Sequence, residues 1–341
     1  ELHPEDLPRL LAHPLLSVAA PRRERLFNTY FDTSTLALRA QRMAVRERRV
    51  GRRTLLTVKT AGTSVGGLSR RGEWEAACRP GRFDFATLVD DEALAQQLTR
   101  VAWQLVPVFR TDFTRRSWVL QHGAARVEVA LDQGFIGTGN AQGKHRQPIL
   151  ELELELLDGP VDALLDLAHT LALGPQGLAA QGIWLHPSDR SKAERGLALY
   201  LNQPPGPVRA EPAKPAPQGS PLMAFRTVAL SSLVHLQANV SGWLQAEAAP
   251  ANQPNPEFMH QARLALRQLR KALKRFGPVL PRRIVAHWSG QWQATERALA
   301  SANNREQRAA LSAPAHALNL LAFTRAVLAL QDPPRPTKRA R

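Results

Sequence analysis

Glu151, Glu153 and Glu155 alternate with Leu152, Leu154 and Leu156 in the run from Pro148 to Leu157. Side chains two apart on a strand share a face, so the carboxylates form one row, about 7 Å from neighbour to neighbour, and the leucines form another behind it. Such carboxylates repel one another and call for cations opposite them, either a hard divalent metal or basic side chains. A solvated outer face of an antiparallel sheet would read the same way, but the rest of the first half favours the cation reading. Arg46 and Arg48 share a face of one candidate strand, Thr57 and Lys59 of the next, and Arg71, Glu73 and Glu75 of a third, while Arg115, Arg126, Glu128 and Asp132 add both signs further on. Arginine matches phosphate oxygens through its planar fork, and Mg²⁺ is held by a few carboxylates together with substrate phosphates. The residue types suit a phosphate chain and its metal.

These side chains need strands to hold them. Extended runs at Arg25–Asp32, Arg42–Val50, Arg53–Thr60, Ser69–Cys78, Val106–Gln121, Arg126–Gln133 and Pro148–Leu157 are separated by Gly-bearing loops, with a hairpin at Gly51 and a glycine-rich tip at Gly66 and Gly67. Helical patterns cover 4–18, 84–99, 160–173 and 188–201, the last bearing Lys192 and Arg195. The first half therefore reads as an antiparallel sheet with helices, an α+β arrangement. Its faces carry too much charge for a sandwich core, whereas a closed barrel with a polar interior accommodates inward charges around a charged ligand.

Across 341 residues, 45 Lys and Arg against 29 Asp and Glu give a formal charge of +16, which favours an anionic partner such as polyphosphate, nucleic acid or an anionic surface. One cysteine, Cys78, forms no internal disulfide, which fits a reducing cytoplasm, and no apolar run reaches the roughly 18 residues of a spanning helix. The seven tryptophans do not interleave with the basic runs as a base-stacking platform would, so nucleic acid is the less favoured partner.

The ordered set Ala44-Val45-Arg46-Glu47-Arg48, Thr57 to Gly62, Gly67 to Glu75, Thr111 to Arg115, Ala130 to Gly134, Glu151 to Leu157 and Ser191 to Gly196 resembles the CYTH, or triphosphate tunnel metalloenzyme, family, and most closely its bacterial inorganic triphosphatases. The resemblance covers about residues 4–201. It implies an eight-stranded antiparallel β-tunnel, hydrolysis of inorganic triphosphate with Mg²⁺ or Mn²⁺, phosphate contacts from Arg46, Arg48, Lys59, Arg71, Arg115 and Lys192, and metal contacts from Glu73, Glu151 and Glu153. Lys59, Arg71 and Lys192 are the expected catalytic side chains, Asp132 is a further candidate, and Glu155 would serve packing or metal equally. The family opens on an ExExK strand that would precede Glu1, so an N-terminal truncation is expected.

Residues 202–221 hold seven prolines and read as a semi-rigid linker, giving domains at 1–201 and 222–334 and a basic tail at 335–341. Beyond the linker the pattern is all-helical, over 225–246, 256–276, 281–302 and 307–330. On the second of these helices His260, Arg263, Arg267, Arg270, Lys271 and Lys274 share one side, with Leu266, Leu269, Leu273 and Phe276 on the other. No Asp or Glu occurs from Phe258 to Thr295, so an external polyanion is expected to offset the stripe. The run from His260 to Leu273 resembles the first signature helix of CHAD domains, helical bundles associated with polyphosphate; one signature is present, and a partial module is expected. The histidines lack metal-ligand spacing. Two alternatives stay open: a non-catalytic polyphosphate-binding protein on a tunnel scaffold, or adenylate cyclase or thiamine-triphosphatase-like activity.

Overall fold

The computed structural model describes residues 1–65, 68–139, 145–173, 177–183, 186–247, 255–300, 306–307, 310–311 and 314–330. The tip at Gly66 and Gly67 and the basic tail of Arg335, Lys338, Arg339 and Arg341 lie outside them. The chain divides into two compact units, Glu1–Ser64 with Leu68–Pro205, and Val65–Gly67 with Gly206–Arg341.

The first unit is built on β1 (Arg22–Asp32), β2 (Ala44–Val50), β3 (Arg53–Val65), β4 (Leu68–Cys78), β5 (Val106–His122), β6 (Ala125–Thr138) and β7 (His145–Asp158), in the order β4-β3-β2-β1-β5-β6-β7. The sheet is antiparallel and curled. Seven strands, not the expected eight, occur among the described residues. Where an eighth would line the β7 edge there is a single bridge, the Leu2 N–H donating to the Leu150 carbonyl at 3.3 Å.

Alternation decides which side chains face inward. Leu152, Leu154 and Leu156 pack with Leu167 and Leu171 on one face of β7, which turns Glu151, Glu153 and Glu155 to the other. Gly51, at φ 58°, supplies the left-handed residue of the tight β2–β3 turn.

Short helices cover the sheet: α1 (Leu7–Leu11), α2 (Pro14–Ser17), α3 (Ala37–Ala40), α4 (Phe85–Leu88), α5 (Glu92–Val101), α6 (Val161–Leu173) and α7 (Lys192–Tyr200). The single helix expected over 4–18 is broken because Pro14 cannot continue a ladder and His13 caps the next turn, its Nδ1 accepting from the Leu15 N–H at 3.2 Å. Likewise the pattern over 84–99 splits at Asp91, which caps α5 through the Leu94 N–H at 3.0 Å.

The second unit holds α8 (Pro221–Glu247), α9 (Glu257–Phe276), α10 (Arg282–Leu299) and α11 (Pro314–Leu328) around a core that includes Phe225, Leu233, Trp243, Leu266, Leu269 and Leu273. Trp288 and Trp292 stack at 5.5 Å and Phe323 meets both edge-on. The proline-rich segment is not wholly unpacked. The Val208 N–H donates to Asn239 Oδ1 at 3.0 Å, and the Val208 carbonyl accepts from Asn239 Nδ2 at 2.9 Å and lies 3.0 Å from His235 Nε2.

Candidate active site on the concave face of the sheet

Strand register places the polar side chains in rows across the sheet. Arg46 lies opposite Tyr30 on one side and Thr57 on the other; Arg48 lies opposite Asn28, which lies opposite Thr111. Arg115 lies opposite Glu24 and Asp132, and Asp132 opposite Glu151. Cross-strand neighbours on one face sit about 5 Å apart, so each row brings its charges into reach of one another.

One wall comprises β2, β3 and β4. Lys59 Nζ donates to Glu73 Oε2 at 2.7 Å, and Arg46 Nη2 lies 3.6 Å from Glu73 Oε1 and 3.5 Å from Glu75 Oε2. Thr57 orients the pair, accepting from Arg46 Nε at 3.2 Å and donating to Glu75 Oε2 at 2.6 Å. Arg48 is oriented by Asn28, whose Oδ1 accepts from Arg48 Nε at 3.0 Å while its Nδ2 donates to Thr111 Oγ1 at 2.8 Å. Arg71 is exposed on β4.

The other wall comprises β5, β6, β7 and α7. Arg115 grips Asp132 with both fork nitrogens at 2.7 Å and reaches Glu153 Oε2 at 2.6 Å. Lys192 Nζ donates to Glu153 Oε1 at 2.9 Å, lies 2.7 Å from Asp132 Oδ2 and pairs with Glu151. Arg195 donates to Glu151 Oε2 at 2.7 Å, to Glu1 Oε1 at 3.1 Å and to the Pro148 carbonyl at 3.0 Å. A capping box fixes α7: Ser191 Oγ accepts from the Glu194 N–H at 3.2 Å, and Glu194 Oε2 accepts from the Ser191 N–H at 2.7 Å. Gly196 lets the helix lie against β5, since a Cβ there would overlap Cδ2 and Cε2 of the Phe109 ring.

Electrostatics follow from this crowding. Burial and the neighbouring Arg46 lower the Lys59 pKa to about 7 against the pull of Glu73. Desolvation alone would raise Glu153, but Lys192 and Arg115 hold it well below the usual carboxylate range. Lys192 is buried, which disfavours its charge, yet Glu153, Glu151 and Asp132 raise its pKa. Glu155 is pushed up by burial and by Glu73 and Glu128, the latter directly opposite it in register. A cavity of about 180 Å³ opens beside these groups, lined by Arg22, Glu24, Arg48, Arg53, Arg115 and Glu128 among others.

Asp132, Glu151 and Glu153 can bring one ligand oxygen each within 4.8 Å of one another. Three converging carboxylates are hard oxygen donors of the kind that suits Mg²⁺ or Mn²⁺, so the donor set fits such an ion. Glu73 stands apart from this trio, engaged with Lys59 and Arg46. Residue spacing alone does not reveal the partnership of Asp132 with Glu151, because it depends on β6–β7 register. Spacing sets Thr57 beside Lys59 and Glu75 beside Glu73 but does not reveal what they support, nor does it reveal Asn28; the signals for Arg195 are its place three residues after Lys192 on one helix face and within the run from Ser191 to Gly196.

In the second unit, α9 turns Leu266, Leu269 and Leu273 into the core and exposes His260, Arg267, Lys271 and Lys274, with Arg263 and Arg270 half-buried. The stripe is not without internal compensation. Glu296, one residue beyond the acid-free stretch, reaches across from α10 to accept from Arg270 Nη1 at 2.6 Å and lies 3.9 Å from Arg267.

Residues 2–180 match the CYTH domain family and residues 229–340 the CHAD domain. An inorganic triphosphatase from Haemophilus influenzae is 32% identical over 202 residues, which are 58% of this chain and 52% of that protein. The chain thus spans about half the length of that relative. Among solved structures, a putative adenylyl cyclase from Hippeastrum, described as having a dominant triphosphatase activity, is 17% identical, with 58% of this chain and 92% of that one covered and a TM-score of 0.40. A putative adenylate cyclase from Bacillus halodurans is 15% identical, with 57% and 92% covered and a TM-score of 0.37.

Proposed function

The chain belongs to the CYTH domain family, and from that premise we propose that residues 1–201 hydrolyse inorganic triphosphate with the help of Mg²⁺ or Mn²⁺, and that the helical domain at 222–334, beyond the linker at 202–221, binds polyphosphate. The observation that supports this reading is the pairing of two walls of cations with three convergent carboxylates on one polar face.

Arg46, Arg48 and Lys59 on one wall and Arg115 and Lys192 on the other would grip phosphate oxygens, with Arg71 at the exposed rim. Arg46, Arg48, Lys59 and Lys192 would exchange an internal carboxylate for a phosphate while Arg115 keeps its fork on Asp132, which orients the chain without a covalent step by the protein. Asp132, Glu151 and Glu153 would hold the metal, with Glu73 as a further carboxylate on the opposite wall. When bound, the ion supplies charge neutralisation at the phosphoryl oxygens. Lys59, with its pKa near 7, can hold or release a proton at Nζ at neutral pH. On α9, His260, Arg263, Arg267, Arg270, Lys271 and Lys274 would contact the polyanion.

Phosphate release from triphosphate, with Mg²⁺ or Mn²⁺ and with chelator, tests the catalytic reading beside ATP as a rival substrate. Metal-dependent release from triphosphate without cyclic AMP is expected. Cyclic AMP formation with no triphosphate hydrolysis would overturn it, as would polyphosphate binding with no turnover of either compound.

A further inference from the structure

Glu151 and Glu153 are each held at both oxygens by different kinds of cation. In each, Oε2 is taken by an arginine, Arg195 for Glu151 at 2.7 Å and Arg115 for Glu153 at 2.6 Å. In each, Oε1 is taken by the single ammonium of Lys192, which also lies 2.7 Å from Asp132 Oδ2. The arginines are anchored elsewhere as well, Arg195 to the Pro148 carbonyl at 3.0 Å and Arg115 by its two-nitrogen grip on Asp132. Lys192 is the compact charge on a flexible stem, and the three carboxylates are its only ion-pair partners among the described residues.

We propose that Lys192 is an exchangeable counter-cation of the carboxylate trio: it holds the trio together without a divalent ion and turns to the phosphate chain when one binds. The charges require some such exchange. Three carboxylates now face three cations, so a divalent ion entering beside all of them leaves an excess of positive charge in a largely buried site. Releasing Lys192 toward an anionic substrate halves that excess and the substrate's own negative charge offsets the rest, while Arg115 and Arg195 keep Asp132, Glu151 and Glu153 in place. Lys192 and the divalent ion therefore compete for the same oxygens, whereas the phosphate chain and the divalent ion favour each other's binding, and that coupling is reciprocal.

This inference rests on the triphosphatase reading for the identity of the anion, and its test is separable from turnover. Mn²⁺ affinity is measured on the full chain by electron paramagnetic resonance without substrate, for the native sequence, Lys192→Met and Arg195→Met, with circular dichroism as the check on folding. Lys192→Met is expected to bind Mn²⁺ about tenfold more tightly, a typical coupling between competing ligands. Arg195→Met, which frees Glu151 from its anchor, is expected to bind it more weakly. Should Lys192→Met not fold, Lys192→Gln is read in its place with the same expectation. Folded Lys192 variants with native or weaker Mn²⁺ affinity overturn the proposal. Absence of triphosphate hydrolysis in the native chain, with the contrast in Mn²⁺ affinity intact, would overturn the enzymatic reading and leave the exchange standing.

Discussion

Arg115 meets Asp132 through a two-point fork, Nε to Oδ1 and Nη2 to Oδ2, both at 2.7 Å, across directly opposed positions of β5 and β6. Asp132 has no exposed surface and is also the partner of Lys192, so one buried carboxylate answers two cations.

Asp132→Asn keeps the shape and removes that charge. It should destabilise the protein by about 3–5 kcal/mol, because it leaves the buried Arg115 and Lys192 short of one compensating charge. Denaturant unfolding followed by circular dichroism checks this. A loss below about 1 kcal/mol, the scale of an exposed pair, would mean that the pairing contributes little.

Lys59 is expected to make substrate binding depend on pH. Its pKa of about 7 means that the ammonium is fully present well below pH 7 and is lost as pH rises through it. The KM for triphosphate should therefore rise above pH 7. Lys59→Arg, which stays charged throughout, should flatten that rise. Identical KM profiles for the two proteins would remove Lys59 from the phosphate clamp.

Gly196→Ala tests how α7 is seated. The added Cβ would overlap the Phe109 ring, so the helix must shift, at a cost of about 1–3 kcal/mol. Because Lys192 and Arg195 ride on the same helix, triphosphate turnover should fall with stability. Full activity in a folded Gly196→Ala protein would show that the α7 position is not critical.

His316 is buried in the helical unit, and neither ring nitrogen has a hydrogen-bond partner among the described residues. Burial lowers its pKa to about 4 from 6.5. The unfolded chain thus binds a proton between pH 6.5 and 4 that the folded one refuses, so stability is fully present above 6.5 and declines as pH falls toward 4. The swing is on the order of 3 kcal/mol. Urea unfolding followed by tryptophan fluorescence should display it, and His316→Leu should abolish it; an unchanged slope in the variant would assign the pH dependence to other groups.

Glu296 competes with any anion for Arg270 and Arg267. Glu296→Gln should tighten polyphosphate binding by up to about fivefold at low salt, the scale of a partly exposed ion pair. Weaker binding would mean that Glu296 serves to orient the arginines instead.

The strands, the long helices and the facing of the acidic row were legible in the sequence because they rest on local periodicity. Leu152, Leu154 and Leu156 need a core behind them, and that need alone turns Glu151, Glu153 and Glu155 the other way. The boundaries were less legible where one cap or proline splits a pattern, as at Pro14 and Asp91.

What the sequence by itself determined is an inventory: charged side chains alternating with apolar ones on strands, a cationic face on one helix, and motifs resembling two domain families. Only the tertiary structure decided who answers whom. Asp132 joins Glu151 and Glu153 because β6 and β7 pair in one register, and Glu73 goes to Lys59 because β3 and β4 are neighbours. Glu296 answers Arg270 because α10 folds back along α9, which no reading of α9 alone could supply. The physical reason is one of range: side-chain facing is set by neighbours two to four residues away, whereas an ion pair within hydrogen-bond distance depends on elements that meet only once the core has formed.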